Sequence, residues 1–299
     1  MRVNHGANYY KEMETAMNTT LTGSQIELYR TNGFIVIENF LNQGELESWR
    51  TNTQEAVDQR LAGLTYIRSS FMDKEKSTPS DLTASLKNNQ LDPDDYYAQV
   101  FTQCLKLAET HEGMHELMFD KRLGEFAGKL AGVDGIRIWH DQALFKPPFG
   151  NATGWHLDNP FWSFSSKDAI SIWVALDDAT LGNGCLYYLP GTQDFASFQM
   201  TNIGRNQADL FKIYPEWRDL ESVAAPAKAG TAVFHNGLTA HGAGANMTNR
   251  PRRAMTCAYM PDGSVFNGVQ NILSDDYFNS LKVGDKLDNN EVNPLIWHK

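Results

Sequence analysis

Four side chains of this sequence are of the types that build an oxygen-activating iron site. His156 and Asp158 stand two residues apart, and a second histidine, His241, follows 241 − 156 = 85 residues after the first. Two histidines and one carboxylate bind one face of Fe(II) and leave the other positions open for a co-substrate and O2. Arg252 comes 252 − 241 = 11 residues later, and its planar guanidinium suits a bidentate contact with a carboxylate.

A β-strand is the element that would position the first two of these residues. Alternate residues of a strand point to the same face, so His156 and Asp158 could share one metal. The long interval before His241 brings it to the same place only if the chain folds back through several strands, as in a barrel-like sheet. The shorter interval to Arg252 fits one loop and a return along the neighbouring strand.

The sequence beyond Gly135 is typical of short strands separated by turns. Apolar runs rich in β-branched and aromatic residues alternate with breaks such as Pro147-Pro148 and Pro190-Gly191. This cadence indicates a sandwich or barrel. The predicted strands are 136–145, 153–158, 169–176, 184–189, 231–235 and 253–260.

The part of the chain before Gly135 is predicted to be a mainly helical support. A helix over 24–31, capped by Thr22 and ended by Gly33, leads into a strand at 34–38. Asn42 can begin a second helix that runs to about residue 60.

A long loop is expected over residues 61–93, where the polar sequence has little periodicity; such loops often form lids. Residues 95–131 return to helical spacing. We therefore expect one oxygenase-sized domain over residues 1–299. Its predicted parts are helical support with one or more strands at 22–131, a β core at 135–262 and a partly helical tail at 264–299.

Composition excludes several classes of function. The 299 residues are 41% hydrophobic and 21% charged, as in ordinary globular proteins, and no apolar run approaches the ~20 residues of a membrane-spanning helix. A formal net charge of −10 disfavours nucleic acid and anionic membranes as partners. Three cysteines without a C-x-x-C pair argue against a disulfide framework. Residues 1–17 lack the apolar stretch of a signal peptide, so we expect a cytoplasmic protein.

Another histidine motif and one further single histidine offer alternative metal ligands. The run from His111 to His115 has the H-E-x-x-H pattern of zinc hydrolases, in which Glu112 would act as the base. Gly113 costs ~1 kcal/mol inside a helix, which weakens that alternative. His235 is a second candidate for the distal metal ligand, but it has no arginine at the interval that separates His241 from Arg252.

Several motifs together resemble the phytanoyl-CoA dioxygenase family of Fe(II)- and 2-oxoglutarate-dependent oxygenases. The resemblance covers residues 25 to about 261 and is specific only when its motifs are taken jointly. The motifs are Asn32-Gly-Phe-Ile-Val-Ile-Glu-Asn-Phe-Leu41, Phe145-Lys-Pro-Pro148, Gly154-Trp-His-Leu-Asp158, Trp173-Val-Ala-Leu-Asp-Asp178, Asn183-Gly-Cys-Leu-Tyr-Tyr-Leu-Pro-Gly191, His241-Gly-Ala-Gly-Ala-Asn246 and Arg252-Arg253-Ala254.

The resemblance implies a fold and a set of site residues. The fold would be a double-stranded β-helix, a jelly-roll or cupin-like barrel buttressed by helices. The iron ligands would be His156, Asp158 and His241, and Arg252 would bind the distal carboxylate of 2-oxoglutarate, with Arg250 as the alternative. The co-substrate pocket would be lined by Gln142 and Trp173.

The resemblance also implies a reaction. 2-Oxoglutarate and O2 would give succinate and CO2 while a C–H bond of the substrate is oxidised. Halogenases of this class have a small residue where Asp158 stands, so hydroxylation or another oxygenase outcome is expected. Ala243 departs from the family pattern, because relatives often have a serine there whose hydroxyl would contribute a hydrogen bond to co-substrate binding.

Substrate identity does not follow from the sequence. Four residues that closely follow the carboxylate are expected to rim the pocket: Asn159, Phe161, Trp162 and Phe164. A small metabolite or natural-product intermediate is the expected substrate. The alternatives are a zinc hydrolase built on His111 and His115 and a barrel-type binding protein without catalysis.

Overall fold

Two antiparallel β-sheets, one of seven strands and one of four, face each other across the molecule. The computed structural model describes residues 17–71 and 99–299. The major sheet consists of β1 (Phe34–Ile37), β2 (Thr102–Leu105), β3 (Gly135–Lys146), β5 (Ile170–Ala175), β8 (Ala232–Asn236), β10 (Arg252–Pro261) and β11 (Leu295–His298). The minor sheet consists of β4 (Thr153–His156), β6 (Leu186–Tyr188), β7 (Val223–Ala225) and β9 (His241–Ala243).

Strand order shows how distant parts of the chain meet. The major sheet runs β1-β8-β5-β10-β3-β11, with β2 also paired to β3, and the minor sheet runs β4-β9-β6-β7. β1 and β2 from the N-terminal support and β11 from the tail thus extend the major sheet. This arrangement is the predicted double-stranded β-helix.

Helices cover the outer face of the major sheet. They are α1 (Gly23–Asn32), α2 (Gln43–Phe71), α3 (Glu112–Met118) and α4 (Lys121–Ala131); α5 (Leu210–Ile213) and α6 (Asp275–Ser280) lie elsewhere in the chain. α4 buries Leu123, Phe126 and Leu130 in a cluster with sheet residues such as Phe234 and Cys257. Each such side chain contributes roughly 1.5–3 kcal/mol when it is removed from water.

The helix ends have the capping chemistry that the sequence predicts. Thr22 accepts a hydrogen bond from the backbone N–H of Gln25, whose side chain reaches back to form a capping box. Gly33 ends α1 in the left-handed region (φ 77°), and a Cβ there would lie 2.2 Å from Oγ1 of Thr239. Asn42 accepts from the backbone N–H of Glu45 at the start of α2.

Three local predictions were wrong. α2 continues to Phe71 instead of ending near residue 60, so the start of the expected 61–93 loop is helical. The segment 102–105, predicted to be helical from its apolar spacing, is strand β2, because its pairing with β3 overrides the local pattern. The strand predicted over 153–158 ends at His156, and residues 159–161 form a 3-10 helix.

Parts of three other expectations lie outside the described residues: the lack of a signal peptide in residues 1–16, the loop in 72–93 and the start of the helical stretch in 95–98. In the part of the chain that the structure describes, no helix has the length and apolar character needed to cross a membrane.

Candidate active site

His156, Asp158 and His241 come together at the inner face of the minor sheet. His156 ends β4 and pairs directly with His241 at the start of β9, while Asp158 is at the N-cap of the following 3-10 helix. Asp158 Oδ1 lies 3.5 Å from His156 Nε2 and 3.7 Å from His241 Nε2. Within residues 17–71 and 99–299, these three form the one group of metal-ligand types whose donor atoms converge in this way.

Each of the two histidines has its other ring nitrogen in a hydrogen bond. His156 Nδ1 donates to the carbonyl of Gly154 at 2.8 Å, and His241 Nδ1 donates to the carbonyl of Thr239 at 3.0 Å. A carbonyl can only accept, so the proton is on Nδ1 and the Nε2 lone pair is free in the neutral ring. Both rings therefore have the tautomer that a metal ligand requires.

The second carboxylate oxygen of Asp158 is held by two partners from the major sheet. Ser171 Oγ on β5 donates to Oδ2 at 3.2 Å, and His235 Nε2 on β8 donates to the same oxygen at 3.0 Å. Tyr188 contacts the other nitrogen of His235 at 3.0 Å. With Oδ2 occupied, Oδ1 is the oxygen available to a metal. Because both nitrogens of His235 are engaged, this residue supports Asp158 and has no free ligand atom.

Electrostatics keep the carboxylate ionised and the distal histidine neutral. Burial raises the pKa of Asp158, but the neighbouring His241 and His156 rings and the hydrogen bond from His235 outweigh burial and hold the pKa well below its usual range. Burial, with a contribution from His156, holds the pKa of His241 well below its usual range. These are the protonation states in which carboxylate and imidazole bind metals.

Arg252 lies at the inner end of a cavity of about 430 Å³ that also contains the three candidate ligands. Its side chain is buried, 5.3 Å from the ring of Trp173, and its Nε and Nη1 atoms have no hydrogen-bond partner. Burial lowers the pKa of Arg252 to about 10, so the guanidinium is charged at neutral pH. A buried cation with two free donors fits a carboxylate ligand. Arg250, the alternative, is exposed and does not line this cavity.

The strand that carries Arg252 is not the neighbour of β9, contrary to the sequence-based expectation. β9 belongs to the minor sheet, whereas β10 pairs with β3 and β5 in the major sheet. Arg252 therefore reaches the cavity from the opposite sheet. The segment between His241 and Arg252 therefore connects the minor sheet to the major sheet.

The predicted co-substrate and substrate residues fall into two groups. Gln142, Trp173, Phe161 and Trp162 all line the cavity. Phe164 does not, because it packs in the core with Trp139 and Phe266. Nor does Asn159: its amide donates to the carbonyl of Phe164, and its side-chain oxygen accepts from the backbone N–H of Ser166. Asn159 therefore holds the loop after Asp158 in place.

Several cavity residues were not singled out from the sequence as contributors to the site. Gln103 on β2 donates a hydrogen bond to Gln142, and Thr153 lies opposite Ala243 in the pairing of β4 with β9. Thr153 thus lines the cavity beside the position where the family often has a serine. Such residues carry no local signal, because isolated serines, threonines and glutamines occur throughout the chain. Further lining residues are His140, Ser171, Asn202, Thr256 and Asn271.

The H-E-x-x-H motif has a structural role. His111 is the N-cap of α3, and its Nδ1 accepts the backbone N–H of Met114 at 3.2 Å. The ring of His115 stacks on Phe119 with centroids 3.9 Å apart. Glu125 on the neighbouring helix α4, whose carboxylate would be a possible third zinc ligand, instead forms an ion pair with Lys129. The zinc-hydrolase alternative is therefore not favoured.

Comparisons with known proteins agree with the geometry. Among named relatives, the methylphosphonate hydroxylase of Gimesia maris is 26% identical over 243 residues, which cover 81% of this chain and 82% of the relative. The human peroxisomal phytanoyl-CoA dioxygenase is 25% identical over 257 residues, or 82% of this chain and 70% of the relative.

A solved structure shares the fold. The crystal structure of the non-heme alpha-ketoglutarate-dependent carbocyclase SnoK from nogalamycin biosynthesis superposes with a TM-score of 0.70 at 22% identity, covering 94% of this chain and 98% of SnoK. The family model described as phytanoyl-CoA dioxygenase matches residues 29–254, a range that includes His156, Asp158, His241 and Arg252. The chain therefore belongs to the phytanoyl-CoA dioxygenase family of Fe(II)- and 2-oxoglutarate-dependent oxygenases.

Proposed function

We propose that this dioxygenase hydroxylates, or otherwise oxidises, a C–H bond of a small organic metabolite with O2, and releases succinate and CO2. The observation that carries the proposal is the shared cavity. Two free imidazole nitrogens and one carboxylate oxygen converge on its wall, and an unpaired buried arginine lies at its inner end.

The residues take separate roles in this proposal. His156, Asp158 and His241 would hold the iron, and Arg252 would bind the far carboxylate of 2-oxoglutarate, with Trp173 and Gln142 as walls of that subsite. When bound, iron and 2-oxoglutarate would supply, together with O2, the oxidant that removes a hydrogen atom from the substrate. The protein holds these groups in fixed positions, since Arg252 is 2% exposed and His241 is 5% exposed.

The carboxylate of Asp158 favours oxygenation over halogenation. Its Oδ1 atom lies within 3.7 Å of both ligand nitrogens, so it takes the position that a halide would need. Ser171 and His235 donate hydrogen bonds to the other carboxylate oxygen, and these bonds keep Oδ1 in that position.

The walls of the cavity support an uncharged, partly apolar substrate. Apart from the site residues already named, they offer neutral polar groups and aromatic rings, among them Asn202, Thr256, Phe161 and Trp162. Two relatives are named for methylphosphonate and phytanoyl-CoA, which are anionic. A natural-product intermediate or another small neutral metabolite fits these walls better.

We also propose a cytoplasmic location, consistent with three buried cysteines that are all unpaired.

The test is co-substrate turnover by the purified protein. With Fe(II), O2 and 2-oxoglutarate, we expect formation of succinate that stops when a chelator removes the metal and resumes when Fe(II) is restored. A panel of small metabolites should then contain compounds that accelerate succinate formation. A protein that binds 2-oxoglutarate but consumes no O2 with any compound of the panel would be a binding protein instead.

A further inference from the structure

His140 is a buried polar side chain of the cavity that the proposed reaction does not use. It lies on β3, is 6% exposed and lines the cavity. Its Nδ1 atom is buried and has no hydrogen-bond partner. Buried polar groups in native proteins nearly always have a partner, and this imidazole has an unpaired nitrogen while its ring lines the cavity, where a ligand could contact it.

The strand register places His140 level with the candidate metal centre. On β10, Ala258 pairs with His140 on one side and with Ser171 on the other. Ser171 donates to Asp158. His140 is thus two strand spacings from Ser171, about 10 Å between Cα atoms, which leaves room for a small molecule between the imidazole and the metal ligands.

The same register separates His140 from the co-substrate end. Arg252 lies six residues before Ala258 on β10 and pairs with Lys146, a separation of about 20 Å along the strand. Thr256, in register with Gln142 and Trp173, lies between these two levels. 2-Oxoglutarate that extends from Arg252 to the metal would occupy the inner part of this row, and His140 borders the remaining part.

The neighbours of His140 define the other properties of this space. Its ring meets Trp162 edge-on, with centroids 6.3 Å apart and planes at 90°, and Phe161 lines the same cavity. Burial lowers the pKa of His140 to about 4, so at neutral pH the ring is uncharged and offers one N–H donor and one acceptor. An unpaired imidazole beside two aromatic rings matches a ligand that has an apolar carbon skeleton and an oxygen to pair with the ring.

We propose that His140 is the polar anchor of the primary substrate and that this substrate is an uncharged molecule with a hydroxyl or carbonyl oxygen on an apolar carbon skeleton. The inference rests on the proposed function, because it uses the metal centre and Arg252 to locate the substrate space. The hydrogen bond would hold the oxygen at His140 and present a carbon several bonds away to the metal.

The experiment uses two matched probes, cyclopentanol and cyclopentane, which differ by one hydroxyl. The protein is loaded with 2-oxoglutarate and Mn(II), a redox-stable substitute for Fe(II), and broadening of the probe resonances by Mn(II) in NMR titrations reports binding next to the metal. The variants are His140→Leu, which removes the hydrogen bond, His140→Gln, which keeps a donor and an acceptor, and Trp162→Leu, which reduces the apolar wall.

We expect His140→Leu to weaken cyclopentanol binding by about 10-fold, as for loss of one buried hydrogen bond, without weakening cyclopentane binding. His140→Gln should restore part of the loss, and Trp162→Leu should weaken both probes alike. The inference is overturned if His140→Leu leaves cyclopentanol binding unchanged, if it weakens both probes equally, or if wild type holds no cyclopentanol near the metal. Failure of wild type to bind Mn(II) and 2-oxoglutarate at all would instead refute the proposed function.

Discussion

The molecule contains two histidine-carboxylate motifs with very different surroundings. One is assembled from β4, the loop after it and β9, and its ligand atoms border a cavity. The other consists of consecutive residues at the start of α3, where Glu112 and His115 are exposed. Both have side-chain types that bind metals, so type and spacing alone do not distinguish them.

The hydrogen bond made by Nδ1 explains the difference. In His156 and His241 this nitrogen donates to a backbone carbonyl, so Nε2 keeps its lone pair. In His111 it accepts a backbone N–H, so the proton of the neutral ring must be on Nε2. His111 then has no free lone pair while it caps the helix. A backbone contact thus determines which histidine can be a ligand.

The largest expected effect comes from removing the carboxylate at the first motif. Asp158→Ala should lower 2-oxoglutarate turnover by at least about 100-fold, because even partners that only support a ligand cost 10- to 100-fold when they are lost. Succinate formation with Fe(II) measures the effect. Asp168→Ala, which removes an exposed carboxylate, is the control and should turn over normally. Unchanged turnover in Asp158→Ala would show that the metal is bound elsewhere.

The next largest effect concerns the inner end of the cavity. Arg252→Gln should raise the KM for 2-oxoglutarate by about 10- to 100-fold, because each hydrogen bond to a charged group contributes roughly 1.5–3 kcal/mol. The matched variant Arg250→Gln changes an exposed arginine two residues away and should leave KM unchanged. If the two variants exchanged these outcomes, Arg250 would be the residue that binds the carboxylate.

The strongest predictions from the sequence concern regular elements and the motif residues within them. Strands β3, β5, β8 and β10 are long or continuously apolar enough to be recognised from periodicity. The sequence pattern puts His156 and Asp158 in one strand. In the structure the strand ends at His156, and Asp158 belongs to the turn that follows. The two side chains are nevertheless close, with 3.5 Å between His156 Nε2 and Asp158 Oδ1, and Leu157 between them is buried in the core.

Long-range pairing explains what the sequence could not predict. Cys104 of β2 lies at helical spacing from Val100 and Leu107, but the backbone of β2 pairs with β3, about forty residues away. Ser171 contacts Asp158 directly, and Tyr188 contacts His235, which in turn contacts Asp158. These contacts form only because the two sheets face each other. Their residue types are too common to mark them as parts of a site before the fold is known.

A smaller effect is expected from the partners of Asp158. Ser171→Ala removes one of the two hydrogen bonds to Oδ2 and leaves that from His235. Mn(II) binding, measured by titration calorimetry, should weaken by about 10-fold. Ser163→Ala removes a hydroxyl that donates to the carbonyl of Gln270 and should not change Mn(II) binding. Equal affinities for Ser171→Ala and wild type would mean that His235 alone orients the carboxylate.

The smallest effect is expected at the second motif. Glu112→Gln keeps the size of an exposed side chain at the first turn of α3 and removes only its charge, so the free energy of unfolding should fall by less than about 1 kcal/mol and succinate formation should not change. His111→Ala should cost more stability, about 1 kcal/mol, because the cap on Met114 is lost, again without loss of turnover. Thermal melts and the succinate assay separate these outcomes. Peptidase activity in the wild type that disappears in Glu112→Gln would make this motif a second metal centre, because a helix cap has no use for that charge.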